Sequence, residues 1–100
     1  MFVLNRNTYN VEEYGLTRKI DVTITEFYIL EVLASGKWCS YYDIAEWIQK
    51  RNKERYITAS ALSTAISRMR KKGFKIKRKI AVVRCGKTDT YQLEENAWEN

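Results

Sequence analysis

The sequence predicts an α+β fold, on three observations. Segments opening at Thr23, Ser40 and Thr58 each join a helix-capping side chain to apolar residues at helical spacing. Short β-forming runs precede them, at Phe2 to Asn5, Thr8 to Val11 and Leu16 to Val22. After them, Phe74 to Arg84 alternates apolar and basic residues with period two and leads through turn residues into another strand. One hundred residues make one domain with a modest core. Its parts read as N-terminal strands over 1–22, a three-helix core over 23–73, a hairpin over 74–94 and a tail over 95–100.

Asn5, Arg6 and Asn7 are turn-formers between the first two strands, and Glu12, Glu13 and Gly15 mark a bend before the third. Leu16, Ile20 and Val22 hold period-two positions, with Arg18 breaking the series. Together they predict a small antiparallel sheet solvated on one side; the plain alternative is a frayed N-terminal arm. Thr23 opens the first helix, and Glu26 three residues on completes a capping box that satisfies two orphan N–H groups. Phe27, Leu30, Leu33 and Ala34 form its buried stripe, Glu26 and Glu31 face outward, and Gly36 ends it. Lys37, Trp38 and Cys39 make an extended connector. Ser40 caps the second helix, again with an acid three on, Asp43. Ile44, Ala45 and Ile48 line its inner side. Trp47, at the margin, reads as a core or domain-edge tryptophan rather than a ligand platform. Gln49 to Arg55 is almost wholly polar, ending the helix and forming a solvated charged loop.

The third helix has the most distinctive pattern. Thr58 caps it, and Leu62, Ile66 and Met69 recur at i, i+4 and i+7 as its buried side, flanked by Ala61 and Ala65. Ser60, Thr64, Ser67 and Lys71 fall opposite, with Arg68 beside them. Gly73 follows as a left-handed cap, and Arg70, Lys71 and Lys72 suit the negative end of the helix dipole. In the hairpin, Phe74, Ile76, Ile80 and Val82 are expected inward and Lys75, Lys77 and Lys79 outward, with a bulge near Arg78. Cys85 to Asp89 reads as the turn, with Arg84 and Lys87 at the tip, and Thr90 to Leu93 as the return strand with Tyr91 and Leu93 inward. Glu94 to Asn100 is expected to be a loose acidic tail, Trp98 excepted if it tucks back onto the body.

Composition narrows the chemistry. The net charge is +6, and fourteen of the 18 cations lie from Lys50 onward, which supports a polyanionic partner. There is no histidine, which removes Ser–His triads, histidine-ligated metals and proton shuttles near neutral pH. Cys39 and Cys85 are too few for a four-cysteine zinc site; they are expected to act as small buried hydrophobes in a reducing cytosol rather than as a disulfide. No apolar run reaches membrane-spanning length, no signal peptide is visible, and no cofactor is implied.

Three helices with a basic third, followed by a basic hairpin, form the layout of a winged helix-turn-helix. In that geometry the third helix enters the major groove and the hairpin wing touches backbone or minor groove. The sequence resembles the OmpR/PhoB-type winged-helix effector domains, most closely their ToxR-like branch. The resemblance is carried by Val22 to Leu30 (VTITEFYIL), by Ser40 with Ile44, by Ile57 to Lys71 with the ISRMRK core, and by Val83–Arg84 with Tyr91 and Leu93 in the wing. It spans about residues 2–94. It departs from the family where Gly73 replaces a leucine, and in a longer wing that lacks the second glycine. It lacks a receiver domain with a phospho-accepting aspartate and a membrane anchor, so no mode of activation is carried over: the chain is either a stand-alone regulator or a domain of a longer protein.

The expected function is that of a sequence-specific regulator of transcription on double-stranded DNA in the bacterial cytosol. Ser60, Thr64, Ser67 and Arg68 are its base-contact candidates. Arg70, Lys71, Lys75, Arg84, Lys87 and Thr88 are its backbone and wing candidates. The resemblance also implies RNA polymerase as a partner of the loop carrying Lys50, Arg51, Lys53 and Arg55; a homodimer on DNA is an open expectation. The alternative is a winged-helix module that binds protein through Tyr41, Tyr42, Trp47 and Trp98. Neither an enzyme nor a single-strand binder is expected: the residues for catalysis are missing, and no aromatics interleave with the basic strand face.

Overall fold

The computed structural model describes residues 2–5, 10–13, 18–84, 86–94 and 98–99. In chain order the elements are β1 (Phe2–Asn5), β2 (Asn10–Glu13), β3 (Arg18–Ile20), α1 (Ile24–Leu33), β4 (Cys39–Ser40), α2 (Tyr41–Arg51), α3 (Ala59–Lys71), β5 (Ile76–Val83), β6 (Gly86–Leu93) and β7 (Trp98–Glu99). The chain is therefore α+β, with three helices and a three-stranded antiparallel sheet ordered β4-β6-β5 among the described residues. A second sheet is ordered β3-β2-β1-β7, antiparallel except where β7 runs parallel to β1.

In the second sheet Leu4 pairs with Val11 and Val11 with Ile20, so one buried side chain from each of three strands forms a single row into the core. Glu12 and Glu13 continue β2 rather than bending it, because Arg18 and Lys19 on β3 pair opposite them. The predicted turn residues Arg6 and Asn7, strand residues Thr8 and Leu16, and Gly15 lie outside the described residues. The tail is not loose throughout: its backbone at Trp98–Glu99 pairs with Phe2–Val3.

Helix α1 is the centre of the core. Both parts of the Thr23–Glu26 capping box are made, with Glu26 N–H donating to Thr23 Oγ1 at 3.2 Å and Thr23 N–H to Glu26 Oε1 at 2.8 Å. Its apolar residues are not confined to one stripe. Phe27, Tyr28, Ile29, Leu30 and Leu33 are all buried, so the helix is covered on several sides. This corrects the outward reading of Glu26, which is only 2% exposed. Its Oε1 also accepts from Lys72 Nζ at 2.6 Å, tying the start of α1 to the end of α3. Glu31 is partly buried too, accepting from Arg51 Nε at 3.1 Å. A local pattern could not show either partner, since both lie at least 20 residues away.

Ser40 and Asp43 complete the second capping box, and Ile44 and Ile48 are buried as expected. The helix continues to Arg51, further than its polarity suggests, because Glu46 and Lys50 pair at i,i+4 and the basic residues sit at the negative end of its dipole. The connector before it ends as strand β4, pairing Cys39 with Tyr91 and Ser40 with Thr90. Cys39 is a buried free thiol; Cys85, and with it the question of a disulfide, lies outside the described residues. Trp47 is half-buried at the core margin, and its indole N–H has no partner among the described residues.

Burial pushes the Cys39 thiol up from its ordinary 9.0, with the Asp43 carboxylate adding to the shift. Burial does the same to the Tyr91 phenol from 10.0, with Asp89 second. Both groups hold their proton more tightly folded than unfolded. Their stabilisation is therefore complete below the unfolded values and is lost as pH climbs past them. Urea midpoints are expected to be level around neutrality and to fall above about pH 9; a midpoint that rises there would contradict these burials.

Candidate nucleic-acid interface

Helix α3 forms because Thr58 caps it and its apolar residues share one side. Thr58 Oγ1 accepts from Ala61 N–H at 3.0 Å, worth about 0.5–2 kcal/mol. Leu62, Ile66 and Met69 are buried, each contributing about 1.5–3 kcal/mol by leaving water. The helix ends in a Schellman motif: Gly73 N–H donates to Arg70 C=O at 3.1 Å and Phe74 N–H to Met69 C=O at 3.2 Å. Gly73 has φ +105°, which side chains other than hydrogen rarely adopt. Gly73→Ala meets no neighbour within 4 Å, so its expected cost is backbone strain alone, about 1–3 kcal/mol by denaturant titration.

Ser60, Thr64, Ser67, Arg68 and Lys71 are all exposed on the side of α3 opposite the buried stripe. Ser63 is exposed beside them and extends this face toward the hairpin, a position that the helical spacing does not mark as functional. Ala61, expected to flank the core, is exposed, while Ala65 is half-buried. The face is therefore narrow and built of small hydroxyls and two cations. It projects little from the helix barrel except at Arg68 and Lys71.

The face lies between two hollows. On one flank a cleft of about 350 Å³ is lined by Tyr42, Ala59 and Leu62 from the helices and Ile80, Lys87 and Thr88 from the hairpin. The hairpin therefore stands beside the first turn of α3. On the other flank a hollow of about 440 Å³ is lined by Thr25, Arg55, Tyr56, Ala61, Thr64 and Arg68. Arg55 reaches this place because its guanidinium donates to the Thr25 hydroxyl at the start of α1. Arg55 and Arg68 thus share a hollow although thirteen positions separate them, a pairing that no motif in the sequence marks.

The hairpin differs from its expected form in three ways. β5 and β6 pair residue for residue from Ile76–Leu93 to Val83–Gly86, so no bulge occurs at Arg78. Arg78 is accommodated by an ion pair to Asp89 at 3.2 Å rather than by a distortion. β6 begins at Gly86, so Arg84 belongs to the tight connection while Lys87 lies within the strand opposite Val82. Ile80 and Val82 are not inward but 63% and 80% exposed, because the hairpin outruns the helices it packs on. Only its base, Phe74, Ile76, Tyr91 and Leu93, reaches the core.

Lys71, Lys75, Arg84 and Lys87 are exposed, and Thr88 is half-buried with its hydroxyl donating to Asp89 C=O at 3.4 Å. Arg70 is exposed as well, and its Nε and Nη2 donate to Ile76 C=O at 3.0 and 2.8 Å, so it also clamps the start of β5 to the helix end. In the Lys50–Arg55 segment, Lys50 pairs with Glu46 at 3.2 Å, and Arg51 pairs with Glu31 and stacks 5.6 Å over the Tyr28 ring. With Arg55 held by Thr25, the exposed Lys53 is the one of the four with no such tie among the described residues. Of the aromatic candidates, Tyr41 is half-buried, its hydroxyl donating to Ile57 C=O at 2.7 Å. Tyr42 is exposed and meets Tyr41 edge-on at 5.3 Å, and the Trp98 side chain lies outside the described residues. Tyr56 is 76% exposed at the rim of the second hollow, and no pattern in the sequence marks it. No helix of the described residues is long and apolar enough to cross a membrane.

The chain matches no family model, no curated protein and no solved structure.

Proposed function

We propose that this chain is a winged helix-turn-helix regulator of transcription that binds double-stranded DNA with sequence preference, in the manner of the OmpR/PhoB-type effector domains it resembles. The observation that carries this reading is the exposed side of α3, where Ser60, Thr64, Ser67 and Arg68 stand free of the core, while the hairpin shares a cleft with Ala59 and Leu62 in the first turn of the same helix. Small hydroxyls let a helix lie deep in the major groove, and an arginine reaches guanine O6 and N7 in a bidentate pair. Lys71, Lys75, Arg84 and Lys87 take phosphates, and Arg55 joins them from the far hollow. Lys53 is the residue of its loop best placed to meet RNA polymerase. The cytosol is the compartment this reading requires.

Selection of bound sites from a random DNA pool tests the reading, followed by titration at several salt concentrations. Five phosphate contacts predict a slope of log K against log salt of about −4 to −5. Arg68→Ala is expected to cost about 1–3 kcal/mol on a selected site and to relax the preference at one base position. Lys87→Ala should weaken all sequences alike and reduce the slope by about 1. A chain with no salt-sensitive DNA binding even at low ionic strength is instead the protein-binding module.

A further inference from the structure

Among the described residues, strand β5 is a free sheet edge. It ends the order β4-β6-β5, and its ladder with β6 identifies which backbone groups look outward. Glu94 N–H donates to Lys75 C=O at 2.7 Å, so Lys75 and every second residue after it, through Val83, bond inward to β6. The backbone groups of Ile76, Arg78, Ile80 and Val82 therefore point away. That of Ile76 is taken, since its carbonyl receives the Arg70 guanidinium. Among the described residues nothing hydrogen-bonds the outward N–H and C=O groups of Arg78, Ile80 and Val82.

The two faces beside this edge differ in chemistry. On one, Ile80 and Val82 are exposed apolar side chains, and Arg78 is already neutralised by Asp89. On the other, Lys77 and Lys79 are exposed, Lys79 resting 4.2 Å over the Trp38 ring. Side chains of an added strand alternate between the same two faces. One alternate set would therefore meet Ile80 and Val82, and the other would meet the lysines.

We propose that the outer edge of β5 from Arg78 to Val82 is a docking site for an extended segment of a partner protein in which acidic and apolar residues alternate. Main-chain pairing supplies the attachment, the acids answer Lys77 and Lys79, and the apolar residues cover Ile80 and Val82. Charge decides against a second copy as the occupant. Ile76–Val83 carries three cations and no acid, so pairing two such strands brings like charges together. The proposal does not depend on DNA binding.

A fluorescently labelled synthetic peptide alternating valine and glutamate tests it by anisotropy, against a peptide of the same composition with its valines and glutamates in separate blocks. The alternating peptide is expected to bind saturably, about tenfold or more tighter than the block peptide. Val82→Pro removes an outward N–H while leaving every β5–β6 bond intact, a place where edge strands tolerate proline, and should abolish the difference. N-methylating alternate peptide amides gives the same test without altering the protein: one phase should destroy binding and the other spare it. Equal binding by alternating and block peptides, or indifference to the methylation phase, overturns the proposal. Concentration-dependent self-association that Val82→Pro removes would overturn the acidic segment as occupant in favour of a second copy.

Discussion

Truncating Phe27 to alanine is expected to cost about 3–5 kcal/mol, the largest loss from any single side chain considered in this chain. Phe27 has no exposed surface and sits on α1, where every residue from Glu26 to Leu30 is buried. Removing the ring forfeits its transfer from water and leaves a hole that surrounding residues on three helices and a sheet can fill only in part. A domain of this length has a stability near the low end of about 5–15 kcal/mol, so the variant should be substantially unfolded in mild urea. Val82→Ala is the comparison, expected within about 0.5 kcal/mol of the parent because its side chain already stands in water. Denaturant titration of both decides the matter. Similar costs for the two would mean that α1 is not the centre of the core.

Glu26→Ala is expected to cost about 2–3 kcal/mol and to weaken DNA binding beyond what the lost stability explains. The carboxylate accepts from Thr23 N–H and from Lys72 Nζ, so one truncation removes half of a capping box and the tie to α3. Breaking a fully buried pair costs about 3–5 kcal/mol; the lower figure applies because the Lys72 side chain is one-third exposed and can recover water. Lys72 is the residue that closes α3, next to Lys71 on the proposed DNA face. Releasing it should loosen the last turn and lower affinity several-fold. Glu26→Gln keeps an acceptor for Thr23 and should lose less. A double-mutant cycle with Lys72→Met isolates the pair, and strictly additive costs would show that the two ends are not coupled.

Much of the fold was legible because its signals are local. Thr23–Glu26, Ser40–Asp43 and Thr58 each cap a helix within three residues of themselves, and all three caps are formed. Leu62, Ile66 and Met69 are one turn apart along a helix, so their burial follows from spacing. The hairpin shows where such reasoning stops. Period-two alternation correctly separates the two faces of β5, yet it cannot say how far along the strand the core extends. Ile76 is buried and Ile80 is not, although they stand on the same face. The candidate interface divides similarly. The hydroxyl face of α3 follows from the helical repeat, while the roles of the cations do not. Arg70 and Lys71 are neighbours in sequence and both exposed, yet only Arg70 is tied to the Ile76 carbonyl.

The sequence by itself determined the order of three helices, their starting points, the buried side of α3 and the existence of the C-terminal hairpin. Those depend on caps and periodicities that act over a few residues. Only the tertiary structure decided that Glu26 lies inside against Lys72, that Arg55 joins Arg68, and that Ile80, Val82 and the outer backbone of β5 remain uncovered. Each of these depends on which distant segments meet, and a side chain's burial or pairing is set by the neighbours that packing brings to it rather than by its own chemistry.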